Sequence, residues 1–289
     1  MRNTLIKTKT IINKYQIRAN KRYGQNFLIN DDILNEITES AGIEENDLVI
    51  EIGPGLGNLT EYILEKAKYA LLVEIDPKMV EIVEDRFKNV SNFKLLSNDV
   101  LKLNIDEEIE KIEKEQNTKF NNIKVVANLP YYITTPIIFQ LLESANRITD
   151  ITVMIQKEVA ERMVAKTRTK DFGILTLMVE YFSNAEIKLI VPNSSFIPEP
   201  GVTSAVIKLE KTRKYKVSNE KLLFSLIHKA FAQRRKKMIN SLDASNFNNM
   251  TKQEIEEIIK KCDINTNARA EELPLEKYIE IIEAIEGKK

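Results

Sequence analysis

"DLVIEIGPGLGNLTEYILEKAKYALLVEID" (47–76) contains a complete supersecondary unit. The run 47–53 is almost continuously apolar and breaks at glycines 53, 55 and 57. "NLTEYILEKA" (58–67) then sets Leu59, Tyr62 and Ile63 at helical spacing, and "YALLVEID" (69–76) is apolar again. A strand covered on both faces reads as a continuous apolar run, and helices between such runs imply parallel pairing. The alternation continues through "PKMVEIVEDRF" (77–87), "FKLLSNDV" (93–100), "IKVVANLP" (123–130), "TTPIIFQLLESA" (134–145) and "ITDITVMIQ" (148–156). This predicts an α/β fold with a mostly parallel sheet and helices on both faces. "AEIKLIVP" (185–192) and "SAVIKLE" (204–210) have no long helix between them, so an antiparallel hairpin is expected at one edge. The charged stretch 104–122 reads as a surface insertion. Beyond residue 211 strand signals stop, and "KLLFSLIHKAFAQ", "KQEIEEIIKKC" and "PLEKYIEIIEAI" predict a small helical domain. The expected division is a basic N-terminal segment over 1–30 that leads into the ligand pocket, a catalytic domain over 31–211 and an all-α domain over 212–289.

The chain has 289 residues, 43% of them hydrophobic, enough to bury at least one full core. No apolar run approaches the ~18 residues of a membrane span, and no secretory h-region follows Met1, so a cytoplasmic protein is expected. Cys262 and His228 are the only residues of their kinds, which leaves almost nothing for a structural zinc site or a Cys/His nucleophile and excludes an internal disulfide. No metal is expected. Lys+Arg and Asp+Glu both number 43, but the charges are segregated. Residues 1–30 hold Arg2, Lys7, Lys9, Lys14, Arg18, Lys21 and Arg22 with no acid, and "QRRKK" (233–237) adds Arg234, Arg235 and Lys236. Such blocks are either solvated helix faces or a surface that takes nucleic-acid phosphates.

In an open parallel sheet the first glycine turn lies where strand carboxyl ends and helix amino ends converge on a nucleotide-sized ligand. Glu74, at the end of the next strand, stands where a carboxylate accepts both ribose hydroxyls. The dinucleotide fingerprint needs its third glycine three residues after the second, whereas Gly53, Gly55 and Gly57 are evenly spaced and position 58 is Asn. That turn suits an adenosine ligand without a pyrophosphate and points to S-adenosylmethionine, unless it is only a tight loop. Asp99 ends the third strand, where it either accepts from the adenine amino group or caps a turn.

"NLPYYITTP" (128–136) follows the strand 123–127. Pro130 keeps Leu129 out of a helix, so the Asn128 side-chain carbonyl and the Leu129 main-chain carbonyl can accept the two hydrogens of an exocyclic amine. Tyr131 offers a stacking face for the base. In "FIPEPGVTSAV" (196–206) Phe196 either covers the other face of that base or anchors an edge hairpin in the core.

Together "KRYGQNFLIN", "EIGPGLGNLT", "VEID", "NDV", "NLPYYITTPI", "FIPEPGVTSAVIKLE" and "AFAQRRKKMINSL" resemble the successive motifs of the ribosomal RNA adenine N6,N6-dimethyltransferase family. The resemblance runs from about residue 10 to 285 and is nearest to the small-subunit branch. It implies the Rossmann-like S-adenosylmethionine-dependent methyltransferase fold. It also implies that Asn26 and Leu28 line the cofactor pocket beside Gly53 and Gly55, that Glu74 and Asp99 hold ribose and adenine, and that Asn128 faces both cofactor and target amine. The implied reaction is dimethylation of two adjacent adenines in a hairpin loop near the 3′ end of small-subunit rRNA. The implied partner is a pre-ribosomal particle of the 30S type, bound by a monomer. The erythromycin-resistance branch, which modifies large-subunit rRNA, usually carries Ile at the position of Leu129. A Rossmann oxidoreductase conflicts with the glycine spacing, and a non-catalytic member conflicts with the intact 128–131 motif.

Overall fold

A computed structural model describes residues 3–17 and 25–287. The chain divides into two compact units, 1–160 with 184–211, and 161–183 with 212–289.

The first unit opens with α1 (Thr4–Lys14) and the short β1 (Phe27–Leu28). α2 (Asp31–Ala41) starts where Asn30 accepts from the amides of Asp32 and Ile33, and it stops at Gly42 in the left-handed region. β2 (Leu48–Ile52), α3 (Asn58–Lys66), β3 (Tyr69–Glu74), α4 (Pro77–Phe87), β4 (Phe93–Ser97), α5 (Ile105–Glu115), β5 (Ile123–Asn128), α6 (Thr134–Glu143) and β6 (Asp150–Gln156) then alternate. α7 (Lys157–Met163) and α8 (Ile174–Phe182) precede β7 (Ser183–Val191), β8 (Phe196–Ile197) and β9 (Ser204–Lys211). The sheet order is β4-β3-β2-β5-β6-β9-β7. β2, β3, β4, β5 and β6 pair in parallel, and β9 runs antiparallel to β6. The edge expectation is refined here: β9 lies inside β7, next to the parallel set.

β2 and β3 are buried at every position, so both faces of the central sheet are covered. On one face Leu34 and Ile37 of α2 and Leu59 and Ile63 of α3 pack with Val49, Leu72, Val126 and Met154. The strands are added outward on one side of β2 as β3 and β4, and the order then switches to β5 on its other side. That is the switch point at which open α/β sheets bind ligands.

The stretch 104–122 is not a surface insertion. It contains α5, the crossover from β4 to β5, with Ile105, Ile109 and Ile112 at 3%, 0% and 0% exposure. Its apolar stripe at i, i+4 and i+7 is hidden among acids.

The second unit consists of α8, α9 (Glu220–Phe231), α10 (Met238–Ala244), α11 (Lys252–Lys261) and α12 (Leu275–Ile285) around a separate core. The expected unbroken catalytic domain over 31–211 is therefore corrected. Phe172, Leu177 and Tyr181 pack with Leu223, Leu226 and Phe231, so residues 161–183 join the helical unit. Among the described residues, no helix is long and apolar enough to cross a membrane.

Candidate active site

The carboxyl ends of β2, β3, β4 and β5 surround one cleft. Gly53 and Gly55 have φ of +68° and +56°, and Gly57 has +78°. A Cβ on Gly57 would lie 2.6 Å from the Phe87 ring, so both backbone conformation and space require glycine there. The turn is fastened where Gly53 N–H donates to the Val73 carbonyl at 2.8 Å.

Glu74, 6% exposed, ends β3 with both carboxylate oxygens engaged. One accepts from Gly55 N–H at 3.1 Å, and the other from the amides of Ile75 and Asp76, both at 2.9 Å. Burial pushes its pKa up while these three backbone donors pull it down. Each carboxylate oxygen has more than one lone-pair direction, so a fixed Glu74 can still accept from ligand hydroxyls. Asp99 both lines the cleft and caps a short 3₁₀ turn, with Oδ1 accepting from Leu101 N–H at 3.0 Å.

Asn128, the last residue of β5, donates from Nδ2 to the Asn26 carbonyl at 3.3 Å. With that nitrogen occupied, Oδ1 is left as an acceptor. Leu129 N–H donates to the Met154 carbonyl at 3.0 Å, and the Pro130 carbonyl accepts from Thr134 Oγ1 at 3.1 Å. The Tyr131 hydroxyl is 2.6 Å from Ser204 Oγ, which fixes its half-buried ring, and burial raises its pKa.

Asn26, Leu28, Gly53, Gly55, Glu74, Asp99 and Asn128 through Tyr131 all line this cleft. Phe196 does not, and the expectation that it covers a bound base is corrected. β8 pairs with β1 so that Phe196 faces Leu28, and its ring is 1% exposed in the core with Leu28, Leu34 and Val206. Lys21 and Arg22 lie outside the described residues. Arg234 is committed elsewhere: its guanidinium donates to the carbonyls of Lys170 and Phe172, each at 2.9 Å, and pairs with Glu271 at 3.6 Å. Arg234 therefore has a structural role, although its side chain is still 45% exposed. Arg235 and Lys236 are exposed.

Sequence reasoning missed three residues beside the cleft. Glu51, 1% exposed, accepts from Thr60 Oγ1 at 2.6 Å. Asn58 and Arg86 bond to each other at 2.9 Å. Glu51 and Asn58 stood inside the quoted glycine motif, but only the glycines had an evident role there.

A glycine turn at the switch point, a rigid strand-end carboxylate and a second acid on the next strand define an S-adenosylmethionine-dependent methyltransferase fold. The chain belongs, more narrowly, to the ribosomal RNA adenine dimethylase family, whose model matches residues 16–287. It is 44% identical over 276 residues to the ribosomal RNA small subunit methyltransferase A of Alkaliphilus oremlandii, covering 94% of this chain and 93% of that protein. The protein of the same name from Lactococcus lactis is 39% identical over 285 residues, 98% and 95% of the two chains. Among solved structures, a dimethyladenosine transferase from Plasmodium falciparum matches with a TM-score of 0.76 and 26% identity, over 91% of this chain and 98% of that one. The 23S rRNA methyltransferase ErmE shares the fold, with a TM-score of 0.65 and 22% identity over 90% and 100% of the chains.

Proposed function

We propose that this protein transfers methyl groups from S-adenosylmethionine to N6 of two adjacent adenines in a hairpin loop near the 3′ end of small-subunit rRNA, giving N6,N6-dimethyladenosine. The observation that carries the reading is Asn128. Its Nδ2 is tied to the Asn26 carbonyl, which leaves Oδ1 as an acceptor in the cleft that also holds Glu74 and Asp99.

The cleft fits the cofactor. Glu74 is a rigid acceptor for ribose hydroxyls, Asp99 an acceptor for the adenine amino group, and the glycine turn leaves out side chains that would fill the cradle. S-adenosylmethionine supplies an electrophilic sulfonium methyl when bound. The task left to the protein is to position a weak nucleophile. Oδ1 of Asn128 and the carbonyl of Leu129 accept the two amine hydrogens, which draws the nitrogen away from planarity and frees its lone pair. Tyr131, held by Ser204, stacks on the extruded base. A loop base is already unpaired, so extrusion costs less than it would from a duplex. Arg235 and Lys236, with Lys21 and Arg22 of the N-terminal segment, contact RNA phosphates. The implied substrate is a pre-ribosomal small-subunit particle, met by a monomer in the cytoplasm.

The test is single-turnover transfer from labelled S-adenosylmethionine to unmethylated small subunits, with the label mapped on the rRNA. Label in the 3′-terminal loop of small-subunit rRNA is expected, and label on large-subunit rRNA would overturn the assignment. Asn128→Ala removes one preorganised acceptor and is expected to slow transfer ~10²–10³-fold, with the oxyanion-hole donor as guide. RNA affinity, set mainly by phosphate contacts, should change little. Transfer at the wild-type rate would reduce 128–131 to a turn.

A further inference from the structure

The glycine turn closes on one bond of its own, from Gly57 N–H to the Pro54 carbonyl at 2.8 Å, and is otherwise held by its surroundings. Its backbone is built from the residue type with the greatest conformational freedom, and a ligand that had to order it would bind more weakly. Besides Val73 and Glu74, further anchors come from the helices around the turn. Asn58, 6% exposed at the start of α3, donates from Nδ2 to the Leu28 carbonyl and to Thr8 Oγ1, both at 2.8 Å. Its Oδ1 accepts from Arg86 at 2.9 Å, and the same Arg86 nitrogen donates to the Leu56 carbonyl at 2.6 Å. Both amide hydrogens and the carbonyl of Asn58 are therefore used. Leu28 and Leu56 line the cleft on different segments, so this network clamps two of its walls to each other. Thr8, on α1, is fully buried. The same helix is pressed onto the back of the cleft, where Ile11 and Ile12 pack against Phe27 and Leu56.

We propose that Asn58 is a positioning residue for the cofactor cleft, and that α1, through Thr8, is a working part of the cofactor site and not merely a leader to the RNA-binding segment. The inference rests on the reading of the cleft as the S-adenosylmethionine site. Removing one partner leaves the buried Leu28 carbonyl or Thr8 hydroxyl without its bond, and the two walls relax. The chemistry at Asn128 is untouched.

The experiment measures S-adenosylhomocysteine affinity by calorimetry, and KM for each substrate and kcat, in the full chain. Asn58→Ala is expected to weaken cofactor affinity and raise its KM about 10-fold, and Thr8→Val about 3-fold, through the lost buried hydrogen bonds. KM for the ribosomal particle and kcat at saturating cofactor should stay near wild type. Asn58→Asp separates positioning from helix stability. An acid in the first helical turn favours α3, yet a carboxylate cannot donate to Leu28 or Thr8. The inference requires Asn58→Asp to lose affinity at least as much as Asn58→Ala, whereas a merely structural Asn58 would leave it intact. Wild-type affinity in folded Asn58→Asp and Thr8→Val overturns the inference and leaves the proposed function standing. A wild-type protein that binds no S-adenosylhomocysteine overturns both.

Discussion

Glu51 lies near the end of β2 with almost no contact with water, and its burial pushes its pKa up to about 8. The Thr60 hydrogen bond opposes that rise, the charge of Glu74 adds to it, and Arg86 opposes it more weakly. In the unfolded chain a glutamate titrates near 4.3. Between those two values the folded protein holds a proton that the unfolded chain has released, so stability falls as pH rises, and above the folded pKa the decline ends. The slope this one group contributes is about 1.4 kcal/mol per pH unit. Glu51→Gln keeps an acceptor for Thr60 and removes the ionisation. Denaturant midpoints measured from pH 5 to 8 should therefore decline less in Glu51→Gln than in wild type, with the gap widening toward pH 8. Parallel profiles would mean that Glu51 is already ionised in the folded state.

At the scale of elements, α5 makes the sharper case. Its sequence, "IDEEIEKIEKEQ" (105–116), reads as solvated, yet Ile109 and Ile112 are fully buried. Glu113, 3% exposed, is gripped by Arg147 through bonds of 2.8 and 2.9 Å. Ile109→Ala should cost ~2–5 kcal/mol, as for other buried aliphatic truncations. A dispensable insertion would lose almost nothing, so a denaturation curve indistinguishable from wild type would refute the core role of α5. The sequence concealed this because three isoleucines among so many acids carry little weight in a reading by composition. Other parts were hidden for different reasons. α1 buries Thr4 and Thr8, which form no apolar stripe. β1 and β8 are two residues each, too short to show a period, and only their register turns Phe196 inward. The strands β2, β3, β5 and β6 were legible because burial on both faces writes continuous apolar runs into the chain, whereas β4, at the sheet edge, is only half-buried. The glycine turn, Glu74, Asp99 and 128–131 were legible because each interrupts such a run where a sheet opens to ligand.

For the whole molecule, the cleft belongs to the first unit and the "QRRKK" loop to the second, so the proposed function shares RNA attachment between the N-terminal segment of the unit that holds the cleft and a loop of the other. The loop's cations are not equivalent. Arg234 holds the Lys170 and Phe172 carbonyls within its own unit, so its removal would disturb packing as well as charge. A charge run in a sequence cannot tell which of its members folds back. The clean variant is therefore Arg235→Ala with Lys236→Ala, two exposed positions. If both meet rRNA phosphates, their loss weakens binding to small subunits and lowers the slope of log affinity against log salt by about 1 to 2, because fewer counterions are released. Affinity for S-adenosylhomocysteine should not change, since the cleft proposed to bind it is lined by Asn58, Glu74 and the glycine turn of the other unit. A salt titration of particle binding, run beside calorimetry on the cofactor, checks both halves. An unaltered slope would move the RNA surface away from this loop, and a weakened cofactor affinity would mean that the division of labour between the two units is wrong.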